Sequence, residues 1–159
     1  MLNIFKGKNT DNNLYAPVDG ETVALEKVPD PVFSEKMMGD GIAFTFEGDT
    51  VCAPCDGTIS LIADTKHAFG ITSDNEAEVL IHIGFDTVNL QGEGFSKLVE
   101  QGDKVKKGTP IIRVDRALMK DKGINLTTPM VVTNSSDCTM QIEDAGKSVR
   151  VGEDAVIRF

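Results

Sequence analysis

No stretch of this 159-residue chain is apolar for long enough to cross a membrane as a helix. Its first residues, Met1-Leu2-Asn3-Ile4-Phe5-Lys6, are too few and too polar for a secretory signal, so a cytoplasmic location is the expectation. Cysteine is scarce. Cys52, Cys55 and Cys138 make no disulfide framework, and without a second cysteine pair they make no structural zinc site. Cys52-Ala53-Pro54-Cys55 has redox spacing, but a redox pair needs a helix start to lower its thiol pKa. Here Asp56-Gly57 and the alternating Thr58-Ile59-Ser60-Leu61-Ile62 follow, a turn and a strand, so the pair is read as inert. Basic residues are also in deficit. Sixteen Lys and Arg against 25 Asp and Glu leave a formal charge of -9. That excludes nucleic acid, whose phosphates need clustered cations, and is compatible with a basic protein partner or with simple solubility.

Long helical periodicity is missing as well. Fifteen glycines and evenly spread Val, Ile and Thr describe many short strands joined by turns, an all-β domain. Two short helices are expected, at Gly94–Glu100 and around Arg116 to Lys122. Two motifs occur twice. Ala16-Pro17-Val18-Asp19-Gly20 returns as Ala53-Pro54-Cys55-Asp56-Gly57, each a Pro-x-Asp-Gly turn in which the glycine is expected at positive φ. Val105-Lys106-Lys107-Gly108-Thr109-Pro110-Ile111-Ile112 is echoed by Val149-Arg150-Val151-Gly152-Glu153-Asp154-Ala155-Val156-Ile157. The expected fold is an internally duplicated antiparallel β-sandwich or barrel with one core and short helices. It occupies residues 14–159, after a mobile tail over residues 1–13. In that tail Leu2, Ile4, Phe5 and Lys6 could touch a membrane surface if helical, but fraying is the better reading.

The chain has only two histidines. His82 lies in Val79-Leu80-Ile81-His82-Ile83-Gly84-Phe85-Asp86-Thr87-Val88, a strand of branched apolar residues with one imidazole in it. Burying an imidazole costs free energy unless it has partners or a task. A lone strand histidine is most often a hydrogen-bonded structural group. Here Gly84, Asp86 and Thr87 follow at once, placing the ring beside a turn and an accessible edge. His67 lies fifteen residues upstream in a second strand-like segment, a connection long enough to fold the two strands side by side and let the rings meet.

These segments resemble the glucose-type enzyme IIA domain of the bacterial phosphoenolpyruvate-dependent sugar phosphotransferase system. Leu80-Ile81-His82-Ile83-Gly84-Phe85-Asp86-Thr87-Val88 is similar to that family's phosphorylation-site signature. Val28-Pro29-Asp30-Pro31-Val32-Phe33-Ser34-Glu35-Lys36, Gly39-Asp40-Gly41-Ile42-Ala43, Thr65-Lys66-His67-Ala68-Phe69, Gly92-Glu93-Gly94-Phe95 and Leu126-Thr127-Thr128-Pro129 support it. The resemblance runs from about Ala16 to the C-terminus. It implies a β-sandwich with Greek-key and jelly-roll elements, acting as a monomeric phosphoryl carrier. His82 would take the phosphoryl group from a histidine of the carrier protein HPr and pass it to a cysteine on the IIB domain of a sugar permease. Contact with the membrane would be through the permease alone. The resemblance makes His67 the second active-site histidine and Thr65 the hydroxyl that orients it. It ties Nδ1 of His82 to the backbone near Gly84, leaving Nε2 to attack. It also implies a docking rim of Val32, Phe33, Met37, Met38, Leu80 and Val88, with Asp30 and Asp86 as acidic positions for an arginine of HPr. Pro31, Met37, Met38 and Ala63 depart from the best-known members and bear on partner choice. No cofactor is required, although adventitious zinc at His67 and His82 is possible.

Two rivals share features of this pattern. A biotin or lipoyl carrier would use Lys36 in Glu35-Lys36-Met37 as the modified residue, but the span from Gly20 to Lys36 is too short for the preceding half-domain. A zinc hydrolase on a duplicated β scaffold would take His67, His82 and Asp86 or Asp64 as ligands, but Ile83-Gly84 denies the His-x-His pair of such peptidases.

Overall fold

Alternating side chains in short strands, each with one face to bury, build this molecule. The computed structural model describes residues 11–159. Most of the expected tail, with Leu2, Ile4, Phe5 and Lys6, lies outside the described residues. Asp11 accepts a hydrogen bond from the Tyr15 hydroxyl, and the Asn13 side chain accepts one from the Phe159 amide.

The elements in chain order are β1 (Leu14–Tyr15), β2 (Gly20–Ala24), α1 (Pro31–Ser34), β3 (Asp40–Phe46), β4 (Thr50–Cys52), β5 (Gly57–Ile62), β6 (Ala68–Ser73) and β7 (Glu78–His82). They continue with β8 (Phe95–Lys97), β9 (Lys104–Val105), β10 (Pro110–Val114), α2 (Arg116–Asp121), β11 (Thr128–Val132), β12 (Gln141–Ile142), β13 (Ser148–Val149) and β14 (Ala155–Arg158). The large sheet runs β13-β2-β3-β11-β7-β6-β5-β9, and two three-stranded sheets run β1-β14-β12 and β4-β10-β8. Every pairing is antiparallel. The β-sandwich expectation is borne out, with α2 falling where the second helix was expected.

The large sheet turns Ile42 and Phe44 of β3, Phe69 and Ile71 of β6, Val79 and Ile81 of β7 and Met130 and Val132 of β11 into one core with Val51, Ile111, Ile112 and Ile157. Each such side chain contributes roughly 1.5–3 kcal/mol on burial. A second, smaller cluster lies on the outer face. Leu25, Val28 and Phe33, from the segment leading into and through α1, cover Ala43, Val131 and Phe85, with Leu80 packed against them. This explains why β7 and β11 read as continuous apolar runs: in both, residues on the two faces are covered. The segment is held down by Asp30, whose carboxylate accepts from Val32 N–H at 3.0 Å ahead of Pro31 in the first turn of α1.

Two local expectations change. The segment Gly94–Glu100 is not a helix. Phe95–Lys97 pairs with β10, placing Phe95 opposite Val114 and into the main core. One buried aromatic is satisfied by a strand residue as well as by a helical face. Gly20 and Gly57 do not take positive φ. Each opens a strand so close to its neighbour that a Cβ would lie 1.9 Å from Thr45 O and 2.3 Å from Thr72 O, respectively. Close approach of backbone, rather than a left-handed turn, requires glycine there.

The duplication is visible in hydrogen bonds. Tyr15 N–H donates to Pro54 O, and Cys52 N–H donates to Pro17 O, both at 2.8 Å. Gly20 pairs with Val149 as Gly57 pairs with Val105. The Asp19 carboxylate accepts from Val151 N–H at 2.9 Å, and Asp56 accepts from Lys107 N–H at 2.8 Å. The cysteine pair sits inside this frame. Burial pushes the Cys52 thiol up to about 11 and the Cys55 thiol up to about 12, so both stay protonated at neutral pH.

Because the two aspartates do the same task in the two halves, Asp19→Ala and Asp56→Ala should each lower unfolding free energy by ~1 kcal/mol in urea titrations. A loss at one site with none at the other would show that the repeats are equivalent in shape but not in energy.

Candidate functional site

The alternation along β7 sends Val79 and Ile81 inward and leaves Leu80 and His82 on the outer face, with His82 the last residue of the strand. Ala68 stands directly opposite His82, and the Ile83 amide donates to the His67 carbonyl at 2.7 Å. The strand pairing therefore brings the only two histidines of the chain together, with ring centroids 4.8 Å apart and the planes at 78°. His82 also meets Phe33, at 5.1 Å between centroids. The imidazole is packed against an aromatic ring and a second imidazole.

Its orientation is set by the following turn. The His82 Nδ1–H donates to the Gly84 carbonyl at 2.8 Å. A carbonyl only accepts, so the proton is on Nδ1, and Nε2 of the neutral ring keeps its lone pair. Gly84 has φ +77°, and a Cβ there would lie 2.7 Å from Thr87 Cγ2 and 2.9 Å from Asn125 O. Asp86 follows in the left-handed region at φ 59°. Thr87 is fully buried, and its hydroxyl donates to the Ile83 carbonyl at 2.7 Å. The Phe85 amide donates to Asn125 O at 3.1 Å. Sequence reasoning marks Thr87 only as a polar turn residue and does not mark Asn125. A threonine so soon after an apolar strand was the available signal for Thr87. For Asn125 there was none, since its contribution is a backbone carbonyl.

Both histidines are shifted toward the neutral form. Burial holds His67 below its ordinary value of 6.5, and the neighbouring His82 adds to this. Burial also lowers His82, partly offset by its bond to Gly84 and by the carboxylates of Asp30 and Asp86. The Thr65 hydroxyl lies 2.5 Å from His67 Nδ1.

The other expected site residues differ in exposure. Val32, Met37, Met38 and Val88 are exposed large apolar side chains, Met37 to 70%. Leu80 is half-buried against the outer cluster. Phe33 is only 4% exposed, so it supports the imidazole and offers little surface of its own. Asp30 and Asp86 line one recess of about 480 Å³ with Pro29, Pro31, Phe85 and Asn125. Among the described residues no three His, Cys, Asp or Glu side chains converge as a metal site, so the ligand set that a zinc hydrolase needs is not assembled. Lys36 follows α1 at φ 59° and is ion-paired with Glu26 at 3.1 Å and Asp40 at 3.5 Å, unlike a modified lysine at a hairpin tip. No helix among the described residues is long and apolar enough to cross a membrane.

The lowered histidine values make a pH prediction. In the window below 6.5 the unfolded chain binds protons that the folded chain resists, so stability rises with pH there. The histidine contribution should be complete above about pH 6.5 and should be lost as pH falls through the lowered values. Urea titrations between pH 7 and about 5 should show the slope in the parent chain and a flatter profile in His67→Gln/His82→Gln. Identical slopes would contradict the assignment.

A model of the phosphoenolpyruvate-dependent sugar phosphotransferase system EIIA 1 family matches residues 12–138, which include every site residue described above. Among solved structures, glucose permease IIA from Mycoplasma capricolum is similar at 36% identity, with a TM-score of 0.83 over 94% of this chain and 96% of that one. Csd3 of Helicobacter pylori is 16% identical over 76% of this chain and 30% of that one, with a TM-score of 0.47, a likeness too slight to bear on fold or function. With the family pattern spanning most of its length, and a structural relative matched almost end to end, the chain belongs to the EIIA 1 family and is a phosphocarrier component of a sugar phosphotransferase system.

Proposed function

We propose that His82 accepts a phosphoryl group on Nε2 from the phosphohistidine of HPr and passes it to the cysteine of a sugar-permease IIB domain. The observation that carries this reading is the bond from His82 Nδ1–H to Gly84 O, which leaves Nε2 as the nucleophilic nitrogen. In the first step the Nε2 lone pair forms the new N–P bond as the donor's N–P bond breaks, and that electron pair returns to the donor imidazole. In the second, the acceptor thiolate attacks phosphorus, and the P–Nε2 bond breaks toward His82. Both are in-line exchanges between two nucleophiles, so positioning and charge stabilisation do most of the work and no cofactor is required. Zinc at the His67–His82 pair would have two nitrogen ligands there and no part in the transfer.

His67 supplies stabilisation. We assign the Thr65 hydroxyl as the donor to Nδ1, 2.5 Å away, which puts the proton of neutral His67 on Nε2, where it can hydrogen-bond a phosphoryl oxygen. The two rings then carry complementary tautomers, one presenting a lone pair and the other an N–H. The carboxylates of Asp30 and Asp86, close enough to act on His82, and the exposed Val32 and Val88 next in sequence to Phe33 and Thr87 suit a basic protein partner. A monomer working in the cytoplasm is part of this proposal.

His82→Ala should remain folded and take up no label from phospho-HPr, and the adduct on the parent chain should be acid-labile and base-stable. Normal labelling of His82→Ala would remove His82 from the mechanism. His67→Gln should still be phosphorylated on His82, while transfer to IIB falls far more than uptake. If both steps slowed equally and excess partner restored them, His67 would be a docking residue instead.

A further inference from the structure

We infer that the surface engaged by the phosphoryl donor extends past the rim around His82 onto β5, with Leu61 as its outer anchor. This rests on the phosphocarrier reading and adds to it a residue that the reading does not require. β5 carries a bulge: Ile59 pairs with Ile71, but Leu61, two residues on, already pairs with Gly70. Ile59 is buried inward, and the extra residue turns both Ser60 and Leu61 outward, with Leu61 47% exposed. Without the bulge, strand alternation would send Leu61 into the core with Ile59.

Residues paired across antiparallel strands share a face, so the outer surface can be followed in rows. Thr58, Thr72 and Glu78 form a polar row, in which the Thr72 hydroxyl donates to Glu78. The next row is Leu61, Gly70 and Leu80, and the one after it is Ala68 and His82, with Ala63 hydrogen-bonded to Ala68. Beyond the polar row, this part of the sheet carries the apolar Leu61 and Leu80, with Ser60 beside Gly70 and His82 as its polar side chains. Over Gly70 the surface is closed by the Ser60 side chain, whose Oγ would lie 2.8 Å from a Cβ there, and Leu61 and Leu80 stand on either side.

The position of this surface selects its occupant. Neighbouring strands lie about 4.8 Å apart and residues rise about 3.4 Å along a strand, which puts Leu61 about 12 Å from His82. A protein interface of ordinary size covers ~800 Å² on each partner, a patch of roughly 16 Å radius. A protein donor centred on His82 therefore covers Leu61. Of the seven large apolar side chains exposed among the described residues, Leu61 shares its row with Leu80, and Val32 and Val88 are next in sequence to Phe33 and Thr87 of the site, whereas Leu98 follows β8 in another sheet. The partner that fits is a basic protein, matching Asp30 and Asp86, with an apolar side chain to set against Leu61.

The test is the initial rate of His82 phosphorylation against phospho-HPr concentration, for the parent chain, Leu61→Gln, Leu61→Met and Leu98→Gln. Leu98, 40% exposed, is the matched control. Leu61→Gln should raise the half-saturating HPr concentration about fivefold, equivalent to ~1 kcal/mol, with the saturating rate retained. Leu61→Met should recover most of the affinity, and Leu98→Gln should behave as the parent. The inference is overturned if Leu61→Gln matches Leu98→Gln, or if it lowers the saturating rate alone. A parent chain that takes up no phosphoryl group from phospho-HPr overturns the phosphocarrier reading, and this inference with it.

Discussion

One hydrogen bond, from His82 Nδ1–H to the Gly84 carbonyl, organises the site. To turn that carbonyl back toward the ring, the chain reverses at φ +77° in a space where a Cβ would collide with Thr87 and Asn125. The reversal is anchored from below by the Thr87 hydroxyl on Ile83 O and from the side by Asn125 O on the Phe85 amide. A glycine, a buried threonine and a distant backbone carbonyl thus determine which nitrogen of His82 is protonated. Burial keeps the ring neutral, so the unprotonated nitrogen is a usable nucleophile rather than half of an imidazolium.

The sandwich provides the stiffness that this arrangement needs. β7 is paired on both sides, by β6 and β11, and is covered on both faces, by the main core and by the Leu25–Phe33 cluster. His82 is at the end of that strand, where rigidity meets an accessible surface. The same outer cluster presents Phe33 to the imidazole, so the side chains that complete the sheet's second face also wall the site. The repeated Pro-x-Asp-Gly units lie away from this centre. They join the ends of the sheets and make the frame, while the histidine pair is formed by the unrepeated His67 and His82.

Much of this was legible in the residues. The lone imidazole in an apolar strand, the glycine two positions on, and the second histidine at a strand-return distance pointed to the pair, because strand pairing is local and its register is fixed by burial. The paired motifs announced the duplication. What was not legible came from the third dimension. Phe95 could have served a helix or a strand, and only its place opposite Val114 decided. Gly20 and Gly57 looked like turn glycines because the neighbouring strand that excludes a Cβ is remote in sequence. Leu61 looked like an inward residue of an alternating strand until the bulge reversed it. Phe33 looked like a rim residue, whereas the fold spends it against His82.

Long-range 1H–15N NMR of the histidine rings reads directly whether the two imidazoles hold complementary protons. At neutral pH His82 should be neutral and protonated on Nδ1 and His67 neutral and protonated on Nε2, each as a single dominant tautomer. A His82 ring protonated on Nε2, or a rapid mixture of tautomers at either residue, would contradict this assignment.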